Sequence, residues 1–182
     1  CPIMCYAGQE LGERGMDNEG FSGTDGRSTI FDYWAPDTLS RWYKDGELSD
    51  KHLTREEIDL KSFYSRLFNI CTTENAIGKG LFFDLMYVNP DSEQFNAHKE
   101  YAFLRKYNNE MLLIVANFSD KAQQSQVVIP EHAFSYLQIE NRGRVNAVEL
   151  FTGQNVTIDL QPNSPVNVQI PANGAIILKC KA

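Results

Sequence analysis

Tyr101-Ala102-Phe103-Leu104-Arg105-Lys106-Tyr107-Asn108-Asn109-Glu110-Met111-Leu112-Leu113-Ile114-Val115-Ala116-Asn117-Phe118 is the stretch that decides the fold class. Two runs rich in aromatic and aliphatic residues are separated by Asn108-Asn109, a dipeptide suited to a two-residue hairpin turn. Six further strand-like runs surround the pair: Leu81–Val88 before it, and Gln124–Ile129, Val145–Phe151, Val156–Leu160, Val166–Ile170 and Ala175–Cys180 after it. Gly153, Pro162, Pro165 and Pro171-Ala172-Asn173-Gly174 punctuate the later ones. About eight short strands at close spacing predict an antiparallel β-sandwich over residues 81–182, and hence a mainly β chain.

Upstream of this region the pattern changes. Cys1-Pro2-Ile3-Met4-Cys5-Tyr6 is a short apolar run without alternation, the signature of a strand buried on both faces, with Pro2 at its start. From Ala7 to about Leu53, Gly8, Gly12, Gly15, Gly20, Gly23, Gly26 and Gly46 interrupt regular structure. One short helix is expected there, Thr38 to Lys44, with Asp37 as N-cap and Gly46 past its end. A loop of this length in a compact domain is usually functional. Thr54-Arg55-Glu56-Glu57 then fits a capping box. Behind it, Leu60, Phe63, Tyr64, Leu67, Phe68 and Cys71 form one apolar stripe on a helix of about four to five turns. One buried-type strand and one amphipathic helix cannot close a core, so residues 1–80 read as the last strand–loop–helix piece of a larger α/β domain.

Composition narrows the function classes. Seventeen basic against 24 acidic residues give a net charge of −7, and no Lys/Arg run provides the clustered charge that nucleic acid requires. No apolar stretch approaches the roughly 20 residues that span a bilayer. The four cysteines, Cys1, Cys5, Cys71 and Cys180, lack zinc spacing among the three histidines and read as small buried hydrophobes. No cofactor is called for, and the compartment stays open. Asn117 and Asn155 each begin an Asn-x-Ser/Thr triplet, a pattern common by chance. Asp17-Asn18-Glu19-Gly20 lacks the remaining positions of a calcium loop.

Pro2-Ile3-Met4-Cys5-Tyr6-Ala7-Gly8-Gln9-Glu10-Leu11-Gly12 resembles the eighth barrel strand of the α-amylase family of glycoside hydrolases, commonly written P-x-x-x-Y-x-G-x-E-x-G. Asp25-Gly26-Arg27 and Phe31-Asp32-Tyr33-Trp34 are similar to the loop that follows it, and Phe63-Tyr64-Ser65-Arg66-Leu67 to the eighth barrel helix. Leu113-Ile114-Val115-Ala116-Asn117-Phe118-Ser119 and Glu149-Leu150-Phe151-Thr152-Gly153 resemble the sandwich domain behind that barrel. Cys5 departs from the family, which more often has a second aromatic there.

The resemblance implies a C-terminal part of an α-glucan-active, retaining hydrolase: a remnant of a (β/α)8 barrel over 1–80 and the C-terminal sandwich over 81–182. Retention requires two carboxyl groups about 5 Å apart. In the family these, with a third acid, lie on barrel strands four, five and seven, so this chain holds no catalytic residue. Its partner would be an α-glucan or maltooligosaccharide, bound through the parent enzyme. The loop after Tyr6 would reach the cleft rim. There Arg27 could hold a sugar hydroxyl or orient a catalytic carboxylate, Asp25 or Asp32 could accept hydroxyl hydrogens, and Trp34 could offer a flat face to a pyranose. A loop-stabilising ion pair competes as the role of Arg27, and packing as the role of Trp34 and Trp42. Glu10 reads as a hydrogen-bond acceptor within the loop. The alternative for the whole chain is a non-catalytic carbohydrate-binding or structural sandwich module.

Overall fold

A computed structural model describes residues 4–13, 36–140 and 142–181. The chain divides into two compact units, Cys1–Phe68 and Asn69–Ala182.

In the first unit, Met4, Cys5 and Tyr6 pair with no strand and are exposed, Met4 at 89%. A strand of the parallel type forms only with neighbours along its edges, and none of the described residues supplies one. Cys5 is accordingly an exposed thiol, where the sequence suggested burial. A 3₁₀ turn at Gln9–Leu11 follows, and then helix α1, Asp37–Trp42. Asp37 lies in the first turn of α1, and Pro36 takes the cap position assigned to Asp37 from sequence. The helix stops at Trp42 because Asp45-Gly46, both left-handed, closes a hairpin between β1 (Tyr43–Lys44) and β2 (Glu47–Leu48). Ser49 caps a 3₁₀ turn at Asp50–His52.

Helix α2 runs from Arg55 to Thr73, across the division between the units. Its capping box is closed reciprocally: Glu57 N–H donates to Thr54 Oγ1 (3.3 Å) and Thr54 N–H donates to a Glu57 carboxylate oxygen (2.7 Å). The apolar stripe is incompletely covered, with Phe63 36% and Phe68 38% exposed.

The second unit is mainly β. Helix α3, Asn75–Lys79, leads through Gly80 into β3 (Leu81–Asp84). A Cβ at Gly80 would fall 2.3 Å from the Ala76 carbonyl oxygen and 2.7 Å from that of Lys106, so the chain can turn into the sheet only on a glycine. A 3₁₀ turn at Met86–Val88 ends the first predicted strand early, because the Asp84 carboxylate accepts from the Met86 N–H at 2.9 Å. The remaining strands are β4 (Glu100–Tyr107), β5 (Glu110–Asn117), β6 (Gln123–Val128), β7 (Gly143–Glu149), β8 (Asn155–Leu160), β9 (Pro165–Ile170) and β10 (Gly174–Lys181). Helix α4, Glu131–Leu137, sits between β6 and β7, where the sequence suggested no element.

All pairs are antiparallel, in a six-stranded sheet of order β3-β4-β5-β10-β7-β8 and a two-stranded sheet β6-β9. Tyr107 pairs with Glu110, so Asn108-Asn109 is a two-residue turn, with Asn108 left-handed. The two open sheets face one another as a sandwich. Alternating burial along β4 and β9 marks strands with one face to the core. Strand β5 is different. Met111, Leu113 and Val115 enter the main core with Leu104, Phe134 and Leu160, while Leu112 and Ile114 join Ile70, Ala76 and Ile177 on the sheet's other side. Burial on both faces is why its sequence reads as a continuous apolar run.

Candidate functional site

Asp25, Arg27, Asp32 and Trp34, the residues the sequence singles out for sugar contact, lie outside the described residues, as do Tyr33 and the Asp17–Gly20 segment. The flanks of that loop are described. Gly8 stands at φ 87°, and a Cβ there would approach Glu13 Cβ to 2.7 Å, so glycine is required where the chain reverses after Tyr6. Gln9 fastens the turn: its Oε1 accepts from Tyr6 N–H (3.2 Å) and its Nε2 donates to the Tyr64 hydroxyl on α2 (2.8 Å). Glu10 accepts from Cys5 Sγ at 3.9 Å. The stronger acceptor is Glu13, whose carboxylate takes the Leu39 N–H at 2.8 Å.

The principal charged group of this unit is Arg41 with Glu57. The guanidinium donates twice to the carboxylate, Nη1 at 2.9 Å and Nη2 at 2.5 Å, and also donates to the His52 carbonyl (2.8 Å) and to Asp37 (3.2 Å). The Arg41 hydrogen bonds hold the Glu57 carboxyl down at about 2, and Glu57 in turn raises Arg41. Glu57 is therefore ionised at neutral pH and unsuited to passing protons there. Trp42 is held in place: its Nε1 donates to Asp50 at 3.2 Å, and the Lys61 ammonium lies 5.5 Å from its ring centre while also pairing with Asp50.

In the second unit, two motif residues turn out to organise chain crossings. Asn117 is buried. Its Nδ2 donates to the carbonyls of Lys121 (2.8 Å) and Pro171 (3.0 Å), and its Oδ1 accepts from Ser119 N–H (2.9 Å), which leaves no amide free for a glycan. Glu149 gathers the N–H groups of Phe151, Thr152 and Ile177 and the Thr152 hydroxyl, at 2.7–3.3 Å. No described cluster of three or more His, Cys, Asp or Glu residues could hold a metal ion, and no described helix is long and apolar enough to cross a membrane.

A surface feature went unread in the sequence. Phe83, half-buried against the main core, lies 6.3 Å from the ring of Tyr87, 5.2 Å from His132 and 5.9 Å from Tyr136, centre to centre. Tyr87 and His132 are 5.5 Å apart, and the Tyr87 hydroxyl bonds His132 Nε2. Tyr87 is 58% and Tyr136 55% exposed. The available signal was Pro130 followed by Ala133, Phe134 and Leu137 at helical spacing, which would have placed His132 and Tyr136 together on the opposite side of a short helix.

No family model matches the chain, and no curated protein matches it in sequence. Solved structures do match in fold. AmyP in complex with maltose superposes with a TM-score of 0.51 at 14% identity, over 73% of this chain and 23% of that one. A variant of AmyP in complex with maltotriose gives 0.53 at 14% identity, over 88% and 27%. A noncanonic maltogenic α-amylase, AmyB from Thermotoga neapolitana, gives 0.50 at 15% identity, over 68% and 26%. The chain thus spans about a quarter of the length of these structures. At such identities what is shared is the fold.

Proposed function

We propose that this chain is the C-terminal part of a retaining, α-glucan-active glycoside hydrolase of the α-amylase type. In this reading residues 1–80 are the last strand–loop–helix unit of a (β/α)8 barrel and residues 81–182 its C-terminal sandwich. The observation that carries the reading is the fold likeness to AmyP, which takes in 88% of this chain but 27% of AmyP. The incompletely covered stripe of α2 supports it. A helix that leaves Phe63 and Phe68 more than a third exposed carries apolar surface that further barrel elements would bury.

The carboxylate nucleophile and the acid of the retaining mechanism belong, on this reading, to barrel strands upstream of residue 1. The chain contributes the rim of the cleft. Arg27 steadies a sugar hydroxyl or a catalytic carboxylate, Asp25 and Asp32 accept hydroxyl hydrogens, and Trp34 stacks on a pyranose. The Gly8–Glu13 turn and the Arg41–Glu57 clamp hold the two ends of the loop that bears them. The partner is a maltooligosaccharide.

The isolated 182-residue chain is expected not to turn over maltodextrin, whereas a longer gene product including the upstream strands is expected to do so. Hydrolysis by the isolated chain, abolished by one acid-to-amide change within it, would sink the reading. A second reading, a carbohydrate-binding sandwich without chemistry, is favoured by the exposed rings around Phe83, and it predicts glucan binding by a protein whose upstream region carries no acid triad.

A further inference from the structure

Aromatic rings contribute most to a fold when buried, so a group of them left in water is an expense that packing does not explain. Tyr87, His132 and Tyr136 are such a group. Their neighbours position them. His132 and Tyr136 stand one turn apart on α4, whose opposite side buries Ala133, Phe134 and Leu137. Tyr87 rides on the 3₁₀ turn fixed by Asp84 and is tied to His132 through its hydroxyl. Phe83 lies against all three rings and anchors them to the main core.

We propose that Tyr87, His132 and Tyr136 form a saccharide-binding platform that takes consecutive pyranose rings of an α-1,4-linked glucan; the choice of an α-linked glucan rests on the function proposed above. Each ring offers an apolar face with a polar atom at its rim, which matches a pyranose, apolar on its C–H face and hydroxylated around its edge. Neighbouring planes are inclined by 43° between Tyr87 and His132, 58° between Phe83 and His132 and 47° between Phe83 and Tyr136. Rings so inclined do not share one plane, so they do not offer the flat strip that a β-1,4-linked ribbon would cover. Beside Tyr136 a cleft of about 280 Å³, lined also by Leu81, Asn108 and Gln138, offers amide donors and acceptors for the hydroxyl rim. The cations of that cleft are committed: Lys106 donates to the Asn108 carbonyl and Lys79 lies over the Tyr107 ring.

The test is calorimetric titration of the full chain with maltoheptaose, and with cellohexaose as the flat counterpart. Maltoheptaose should bind and cellohexaose should not. Tyr136→Ala, and independently Tyr87→Ala on its separate turn, should each weaken binding by about tenfold or more at an unchanged melting temperature. Tyr136→Phe, which keeps the ring, should stay within about twofold of the parent. Absence of maltoheptaose binding, equal binding of cellohexaose, or retention of full affinity by both alanine variants would overturn the proposal. Failure of the parental reading shows elsewhere, as inactivity of the longer gene product on α-glucans, and leaves the titration result standing.

Discussion

Replacing Asn117 by alanine tests whether the Asn-Phe-Ser element of the sandwich is a structural device. Asn117 is 1% exposed and joins three segments: the end of β5, the turn at Ser119–Lys121, and Pro171 ahead of β10. Alanine removes one acceptor and two donors. Ser119 is itself buried, so its N–H keeps no replacement acceptor, and a buried donor left without a partner costs about 1–3 kcal/mol. Lys121 and Pro171 are exposed residues, and their carbonyls can turn to water for a smaller loss. Together the substitution should destabilise the sandwich by roughly 2–3 kcal/mol. In thermal unfolding that is a drop of roughly 4–12 °C for a chain of this size. The assay is urea and thermal denaturation followed by far-ultraviolet circular dichroism, which reports the sheets. Asn117→Asp sharpens the test. It keeps an acceptor for Ser119 but sets a carboxylate against two carbonyl oxygens, so it should be at least as damaging as alanine at neutral pH. Part of that loss should return on acidification, when the protonated acid can donate again. An alanine variant within about 0.5 kcal/mol of the parent, or an aspartate variant milder than alanine, would refute the reasoning.

Two further outcomes can be checked on the same chain. Glu57 is depressed from 4.5 to about 2, so its contribution is fully present above its unfolded value and is lost as pH falls through the folded one; Glu57→Gln should lower stability at neutral pH and flatten the acid limb between those values, read from far-ultraviolet circular dichroism. Cys5 is exposed while Cys180 is buried with its thiol pushed up to about 11, so iodoacetamide at neutral pH should modify Cys5 in the folded chain and reach Cys180 only in denaturant, as peptide mapping would show.

The strands were legible because burial imposes a pattern, an alternation where one face is covered and a continuous apolar run in β5, where both are. Each of the eight runs marked between residues 81 and 182 contains a strand, since cross-strand neighbours sample the same inside and outside positions. What escaped was structure without that imprint. The hairpin at Tyr43–Leu48 is exposed along both strands, so no alternation marks it, and Asp45-Gly46 was the only cue. Helix α4 is seven residues long, too short for two full repeats of its apolar face. Leu81–Val88 breaks after Asp84 because a single side-chain bond to the Met86 N–H diverts the backbone, which composition does not encode. The same contrast governs function. The capping box revealed Glu57, whereas its partner Arg41 lies 16 residues away, beyond any local pattern. Likewise Phe83, Tyr87, His132 and Tyr136 meet only because α4 follows β6 and settles beside β3. Apolar residues that serve the core announce themselves through the period of the element they stabilise. Those that serve a ligand sit off that period, and at Tyr87 and Tyr136 it is their exposure, visible only after folding, that separates them from the aromatic residues inside.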